Sequence, residues 1–166
     1  VHSGHKFLGG PTSGIIAGRE TLIAACRLQE KGIARVMKVG KESILGLMEA
    51  LAQWEERDHE AVRAEEERRI DYAHNRLGKL PGITAVRVPD PTGNPVTRLQ
   101  VSVDPSLARI TAADLVHELA SGDPSIRLRA HELELGHFQL DPCNLTDAEM
   151  ETLCDRFEEI LRARCG

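Results

Sequence analysis

Positive charge is in short supply in this sequence. Its 166 residues carry 21 Lys and Arg against 26 Asp and Glu, a formal net charge of -5 at pH 7. A surface of that sign offers no general attraction to nucleic acid or to anionic membranes, because both need a positive field. Any anion site must therefore come from a local cluster. Long apolar runs are missing too: no window approaches the roughly 20 consecutive apolar residues of a membrane span, and no charged-then-apolar leader opens the chain, so a cytoplasmic location is expected. The four cysteines, Cys26, Cys143, Cys154 and Cys165, have neither CxxC spacing nor the density of a disulfide scaffold. They suit a reducing compartment as buried or idle thiols. Metal-ligand spacing is also absent. His2 and His5 stand three apart and His131 and His137 fall in adjoining expected strands, but neither pair has a third ligand at suitable spacing.

What is present divides into unlike parts. With 41% hydrophobic residues, the chain has material for one core and a protruding piece of a second. "GIIAG" (residues 14–18) is an apolar run bounded by glycines, the pattern of a buried strand, and "RETLIAACRLQEK" predicts a helix ending near Gly32. One strand and one helix cannot bury their apolar faces alone, so residues 1–40 read as the trailing edge of a larger α/β domain. Residue 1 is Val rather than Met, and the opening is expected to be the interior of a longer protein. From Glu42 the apolar positions Ile44, Leu47, Met48 and Leu51 repeat at helical spacing and fade into a charged run. The pattern predicts one long linking helix over 41–80, packed in its first half and solvated in its second, with i,i+4 ion pairs between Glu55 and Arg69.

Leu80, Pro81 and Gly82 interrupt that helix. "ITAVRV" and "RLQVSV" then predict two strands joined through the turn-forming "PDPTGNP". A helix capped by Thr111 follows, then strands at "SIRLRAH" and "LGHFQLD". In the last helix Thr146 and Glu149 form a capping box, and Met150, Leu153, Cys154, Phe157, Ile160 and Leu161 form one apolar stripe. Residues 81–166 are thus expected to be a small α+β domain of order ββαββα, with helices on one face of an antiparallel sheet.

Chemistry concentrates in the opening stretch "HSGHKFLGGPTSGIIAG". Lys6 is followed by Gly9, Gly10 and Pro11 and preceded by Ser3 at S-x-x-K spacing. Glycines let backbone N–H groups approach an anion closely, and Ser3 adds a hydroxyl donor. A lysine beside a phosphate cradle is what a pyridoxal phosphate Schiff base requires, since the amine must reach the aldehyde while the phosphate is gripped nearby. The second concentration is "KGIARVMKVGK", which places Lys31, Arg35, Lys38 and Lys41 within eleven residues holding no acid. Cations near a helix N-terminus oppose its dipole, so a phosphate or carboxylate site explains them better than helix design does. In "SIRLRAH", alternation puts Ile126 and Leu128 on one face and Arg127, Arg129 and His131 on the other. The arginines there are either solvent-facing or a fork for a substrate anion.

At these residues the chain resembles pyridoxal 5'-phosphate enzymes of the aspartate-aminotransferase fold, specifically the D-glucosaminate-6-phosphate ammonia-lyases and the related bacterial seryl-tRNA selenium transferases. The pattern S-G-x-K then G-P-x-x-G-x-x-x-G-[RK] stands here as "SGHKFLGGPTSGIIAGR", and G-x-x-R-x-M-K-V-G-K-E as "GIARVMKVGKE". Similarity continues through "SIRLRAHELELGHFQLDPCNLTDAEMETL". Cysteine desulfurases also write "SGHK" before "GP", but they resemble the rest of the chain poorly, and Cys143 lacks the loop context of their catalytic cysteine.

The resemblance implies an α/β PLP-transferase of which this is the C-terminal part. Residues 1–40 would end the large cofactor domain, 41–80 link, and 81–166 form the small domain. It implies that Lys6 forms the Schiff base, that Ser3 and the backbone from Gly9 through Gly10 to Thr12 serve the cofactor phosphate, and that Arg35, Lys38 and Arg129 lie near the substrate's anionic groups. It further implies a homo-oligomer, at least a dimer, and the loss of water and ammonia from a phosphorylated amino sugar acid. Two other readings stay open: a selenium transferase acting on seryl-tRNA, which the acidic balance opposes, and a non-catalytic module that binds only a partner subunit.

Overall fold

A computed structural model describes residues 1–143 and 145–165, the last without its side chain, so the Cys165 thiol lies outside the described residues. The chain divides into two compact units, Val1–Asp58 and His59–Gly166.

The first unit is built on a short hairpin. Strands β1 (His2–Ser3) and β2 (Gly14–Ile15) pair antiparallel, with Ser3 opposite Gly14. Helix α1 (Glu20–Gln29), a 3-10 turn (Ile33–Met37) and α2 (Lys41–Glu56) follow. The run expected as a buried strand thus yields two strand residues, and Ile16 is 54% exposed. Among the described residues its one partner is the two-residue β1. Among the described residues Ala50 is this unit's one buried hydrophobic side chain, while Ile33, Val36, Met37, Leu45 and Met48 are open to solvent.

The single helix expected over 41–80 is two helices, α2 and α3 (His59–Leu77). Arg57 takes an extended conformation (φ -70, ψ 132) and ends α2, whose last turn carries no basic residue. Glu55 and Glu56 there oppose the helix dipole, and Asp58 precedes α3, a residue type favoured at that place. The expected burial is also reversed. Ile44 and Leu45 near the start of α2 are exposed, whereas Ile70, Ala73 and Leu77 in the second half of α3 are fully buried.

The second unit holds the core. After α3 come β3 (Ile83–Pro89), β4 (Thr97–Val103), a one-turn helix α4 (Pro105–Ala108), α5 (Ala112–Ser121), a 3-10 turn (Leu133–Leu135), β5 (His137–Leu140) and α6 (Asp147–Cys165). The sheet runs β3-β4-β5, antiparallel throughout. The strand expected at 125–131 is reduced to one bridge, in which Arg129 and Gln139 exchange backbone hydrogen bonds of 3.1 and 3.0 Å. The chain enters the 3-10 turn at Leu133, so the ladder closes after a single pair. The ββαββα expectation is corrected accordingly: its third strand is a bridge, and α4 is added.

Alternation in β4 turns Leu99, Val101 and Val103 inward, where they meet Phe138 and Leu140 of β5 and the buried stripe of α6. The Phe138 and Phe157 rings sit 5.7 Å apart at a tilt of 46°. Both expected caps form. Thr111 Oγ1 accepts from Asp114 N–H at 3.1 Å, and Thr146 Oγ1 accepts from Glu149 N–H at 3.3 Å while Glu149 Oε2 accepts from Thr146 N–H at 2.7 Å.

Candidate active site

Residues 4–13 form the loop of the β1–β2 hairpin, and Lys6 stands on it. The loop is folded on itself: Gly4 N–H donates to Ser13 O, Gly10 N–H to Gly4 O and Gly9 N–H to Lys6 O, each at 2.9 Å. Glycine is required at two of these places for different reasons. Gly9 has φ +72, the left-handed region. A Cβ on Gly10 would lie 2.8 Å from the Gly4 carbonyl and 3.2 Å from Ala50 Cβ on α2. Pro11 also packs on α2, where a Cβ at Gly46 would meet its ring at 3.0 Å. The loop is therefore seated on α2 and closed at its base, while Lys6 is exposed. Among the described residues no hydrogen bond or ion pair engages the Lys6 ammonium.

That geometry fits a pyridoxal phosphate lysine at the amine end. A free amine on a backbone-fixed loop can reach an aldehyde, and the open space beside Gly9, where nothing lies within 4 Å of a built Cβ, admits close approach of a ligand. Ser3 is half-buried at the end of β1, and Gly10 and Thr12 lie on the far limb of the loop. Arg35 and Lys38 belong to the same unit, on and just after the 3-10 turn, and both are exposed. Lys6, Ser3, Gly10, Thr12, Arg35 and Lys38 thus share one unit, and Arg129 lies in the other.

Around Arg129 the second unit holds a charge network that sequence reasoning missed. Register explains its centre: Leu99 opposes Leu140, which brings Arg98, one residue before Leu99, beside Asp141, the first residue past the end of β5. Arg98 Nε donates to Asp141 Oδ2 at 2.9 Å, and its Nη1 pairs with Asp90. Arg98 and Asp90 side chains are 6% and 3% exposed. Asp90 also accepts from Thr92 Oγ1, from Asn94 N–H at 3.1 Å and from Asn94 Nδ2 at 2.8 Å. On the other side of Asp141, Arg129 Nη1 stands 3.6 Å from Oδ2. The Thr92 hydroxyl above all, with Arg98, holds the Asp90 carboxyl well below the usual carboxylate range against the opposing effect of burial. Burial opposes ionisation of Asp141, but hydrogen bonds from Arg98 and the Cys143 N–H outweigh it and lower its pKa. Two of the four Asp-Pro dipeptides, Asp90-Pro91 and Asp141-Pro142, follow the ends of β3 and β5, but the other two, Asp104-Pro105 and Asp123-Pro124, belong to no such network, so no signal in the sequence singled it out.

Arg129 and Asp141 also line a cleft of about 470 Å³ walled by Ile126, Leu128, Leu145 and Leu153. Cys143 lies on the same wall; burial first, then the Asp141 charge, push its thiol far up and disfavour the thiolate. Burial likewise pushes the Cys154 thiol up to about 12. Among the described residues no cluster of His, Cys, Asp or Glu has metal-site geometry, and no helix is long and apolar enough to cross a membrane.

Comparison with known proteins decides the family. The family model described as SelA, L-seryl-tRNA selenium transferase, matches residues 1–123. This chain belongs to that family. Among its relatives, a 5'-C-glycyluridine monooxygenase-decarboxylase of Streptomyces sp is 44% identical over 97% of the chain, and the D-glucosaminate-6-phosphate ammonia lyase of Salmonella typhimurium is 35% identical over 96%. An L-seryl-tRNA(Sec) selenium transferase of Aquifex aeolicus is 26% identical over 96%. The chain spans 40%, 42% and 37% of the lengths of these three relatives. A solved D-glucosaminate-6-phosphate ammonia-lyase structure covers 99% of the chain at a TM-score of 0.79 and 33% identity, with 43% of that structure matched. The family member described here therefore has enzymes for relatives, with a small α/β architecture like that of the ammonia-lyase.

Proposed function

We propose that the full-length protein carrying this sequence is a pyridoxal 5'-phosphate-dependent lyase acting on a phosphorylated 2-amino sugar acid, D-glucosaminate 6-phosphate, to give 2-keto-3-deoxygluconate 6-phosphate. The observation that carries the reading is the unengaged Lys6 amine on a glycine-closed loop, in a chain 35% identical to an ammonia lyase of that name.

The cofactor, when bound, supplies an electron sink for the α carbon. The Ser3 hydroxyl and the Thr12 N–H and hydroxyl hold its phosphate beside Gly10, whose own N–H is given to Gly4 O and which serves by leaving room. Lys6 is the base that takes the α proton, since an amine released next to the substrate is within reach of that carbon. The β-hydroxyl leaves with a proton as water, and one water returns when ammonia is released, so product differs from substrate by NH3 alone. Arg35 and Lys38 receive the phosphate end, and Arg129 receives the carboxylate through two parallel N–H donors. The assembly is at least a homodimer in the cytoplasm.

A second reading is favoured by the 44% identity to the 5'-C-glycyluridine monooxygenase-decarboxylase. That substrate is also an α-amino acid and would use Lys6 and Arg129 in the same places, but it carries no phosphate for Arg35 and Lys38. A selenium transferase needs a positive surface for tRNA, which the charge of -5 on these 166 residues does not offer and which would have to come from the rest of the full-length protein. The deciding experiment incubates the full-length protein, reconstituted with the cofactor, with each of the two small substrates. Ammonia from D-glucosaminate 6-phosphate, lost in Lys6→Ala together with the visible absorbance band of the bound cofactor, supports the lyase. Turnover of 5'-C-glycyluridine alone moves the assignment to the second reading. No Lys6-dependent band removes both.

A further inference from the structure

Arg129 is held in place twice. Its backbone is fixed by the two hydrogen bonds with Gln139, and its side chain reaches Asp141, just past the end of β5, at 3.6 Å. That distance is an ion pair but too long for a hydrogen bond, so the guanidinium is oriented while its donors stay available. Asp141 is itself fixed from two other directions: Arg98 Nε donates to Oδ2 at 2.9 Å and the Cys143 N–H to Oδ1 at 3.1 Å. Arg98 is in turn locked by Asp90, whose remaining acceptor capacity is taken by Thr92 and Asn94.

Charge decides how this row works. Asp90 neutralises Arg98, both nearly out of solvent, which leaves Asp141 facing a cation already balanced by another acid. Arg129, 42% exposed, is the cation that balances Asp141. The row Asp90, Arg98, Asp141, Arg129 therefore ends on an oriented, half-exposed guanidinium at the wall of an apolar cleft. A guanidinium aimed by a fixed carboxylate loses less rotamer freedom when it captures a second anion.

We propose that Asp141 is a positioning residue for Arg129 and that Arg98, locked by Asp90, positions Asp141, so that this buried row sets the affinity for the substrate carboxylate. The inference rests on the assignment of Arg129 to the substrate above. Its signature is a split in the kinetics. The row acts on binding through Arg129 and touches no reacting atom, so KM moves and kcat does not.

The test is a double-mutant cycle in the full-length, cofactor-loaded enzyme, with D-glucosaminate 6-phosphate, or 5'-C-glycyluridine if that is the compound turned over. Asp141→Asn keeps the shape and the Cys143 contact but removes the charge. It is expected to raise KM about tenfold with kcat within about twofold, Arg98→Lys to raise it less, and Asp141→Glu to restore part of the loss. In an Arg129→Ala background, Asp141→Asn should add nothing further. If Arg129→Ala raises KM and Asp141→Asn leaves it alone, or if the two effects simply add, the positioning role is overturned and the assignment of Arg129 stands. If Arg129→Ala leaves KM unchanged, or neither compound is turned over, the assignment fails and the inference falls with it. Should Asp141→Asn not fold, Arg98→Lys takes its place in the cycle: a KM rise that vanishes in the Arg129→Ala background supports the row, and an unchanged or additive KM overturns it.

Discussion

Arg98 and Asp90 form an ion pair whose side chains are almost wholly withdrawn from water. The Thr92 hydroxyl, Arg98 and Asn94 together keep the Asp90 carboxyl ionised to unusually low pH. A carboxyl whose folded pKa is depressed contributes stability that is present above its unfolded value, near about 4, and lost as pH falls through the folded value. Asp141, Asp147 and Glu149 are shifted the same way. The denaturation midpoint is therefore expected to be flat above about pH 5 and to drop steadily below about pH 4. Asp90→Asn should lower the midpoint at neutral pH and make the acid drop shallower, checked by urea titrations across that range. An unchanged acid slope would show that Asp90 is not a source of it.

Phe157 and Phe138 tie α6 to β5. Both are buried, and their rings meet at 5.7 Å. Phe157→Ala removes a buried ring and leaves a cavity that the surrounding Leu and Met side chains can fill only in part. A loss of about 3–5 kcal/mol is expected, and Phe157→Leu should recover most of it. Denaturant unfolding of each variant measures both.

Those two residues also show what was legible in the sequence. Phe157 belongs to a stripe with helical period behind a capping box, and Phe138 alternates with polar neighbours in β5; each signal is local, and both elements form where they were expected. The glycine turn after Lys6 was legible for the same reason, since a tight loop constrains residues adjacent in the chain. Arg98 and Asp141 are 43 residues apart. Only strand register brings them together, and an arginine between Thr97 and Leu99 reads as solvent-facing until that register is known. The break at Arg57 was hidden because the charge pattern runs unchanged through it, and burial in α3 was misplaced because Ile70, Ala73 and Leu77 sit among charged residues that face away from the sheet. Arg129 and Lys6 stand in separate units, and no local signal in the sequence connects them.

The capping box of α6 yields a smaller, cleaner effect. Thr146 and Glu149 satisfy each other's backbone N–H groups. Thr146→Ala should cost about 1 kcal/mol, and Thr146→Ser or Thr146→Asp close to nothing, because either side chain still accepts from the N–H of residue 149. A melting curve for the three variants checks the order. Equal losses in all three would mean that packing, not capping, sets the start of α6.

The Lys6 loop makes the most direct link from backbone geometry to chemistry. Gly10 N–H donates to Gly4 O, and a Cβ on Gly10 would stand 2.8 Å from that same oxygen and 3.2 Å from Ala50 on α2. Neither neighbour is the end of a flexible side chain, so Gly10→Ala must lift the loop from its seat and break the bond at its base. Gly9 differs: its φ of +72 strains any replacement, but no atom lies in the way, so Gly9→Ala costs about 1–2 kcal/mol of local strain and leaves the seat intact. In the full-length enzyme kcat/KM should therefore fall at least tenfold more in Gly10→Ala than in Gly9→Ala, since a displacement of about 1 Å at a reacting group costs on the order of 100-fold. Steady-state rates for the two variants, alongside the cofactor absorbance of each, measure the difference. Comparable losses would mean that the loop's seating on α2 does not govern where Lys6 presents its amine.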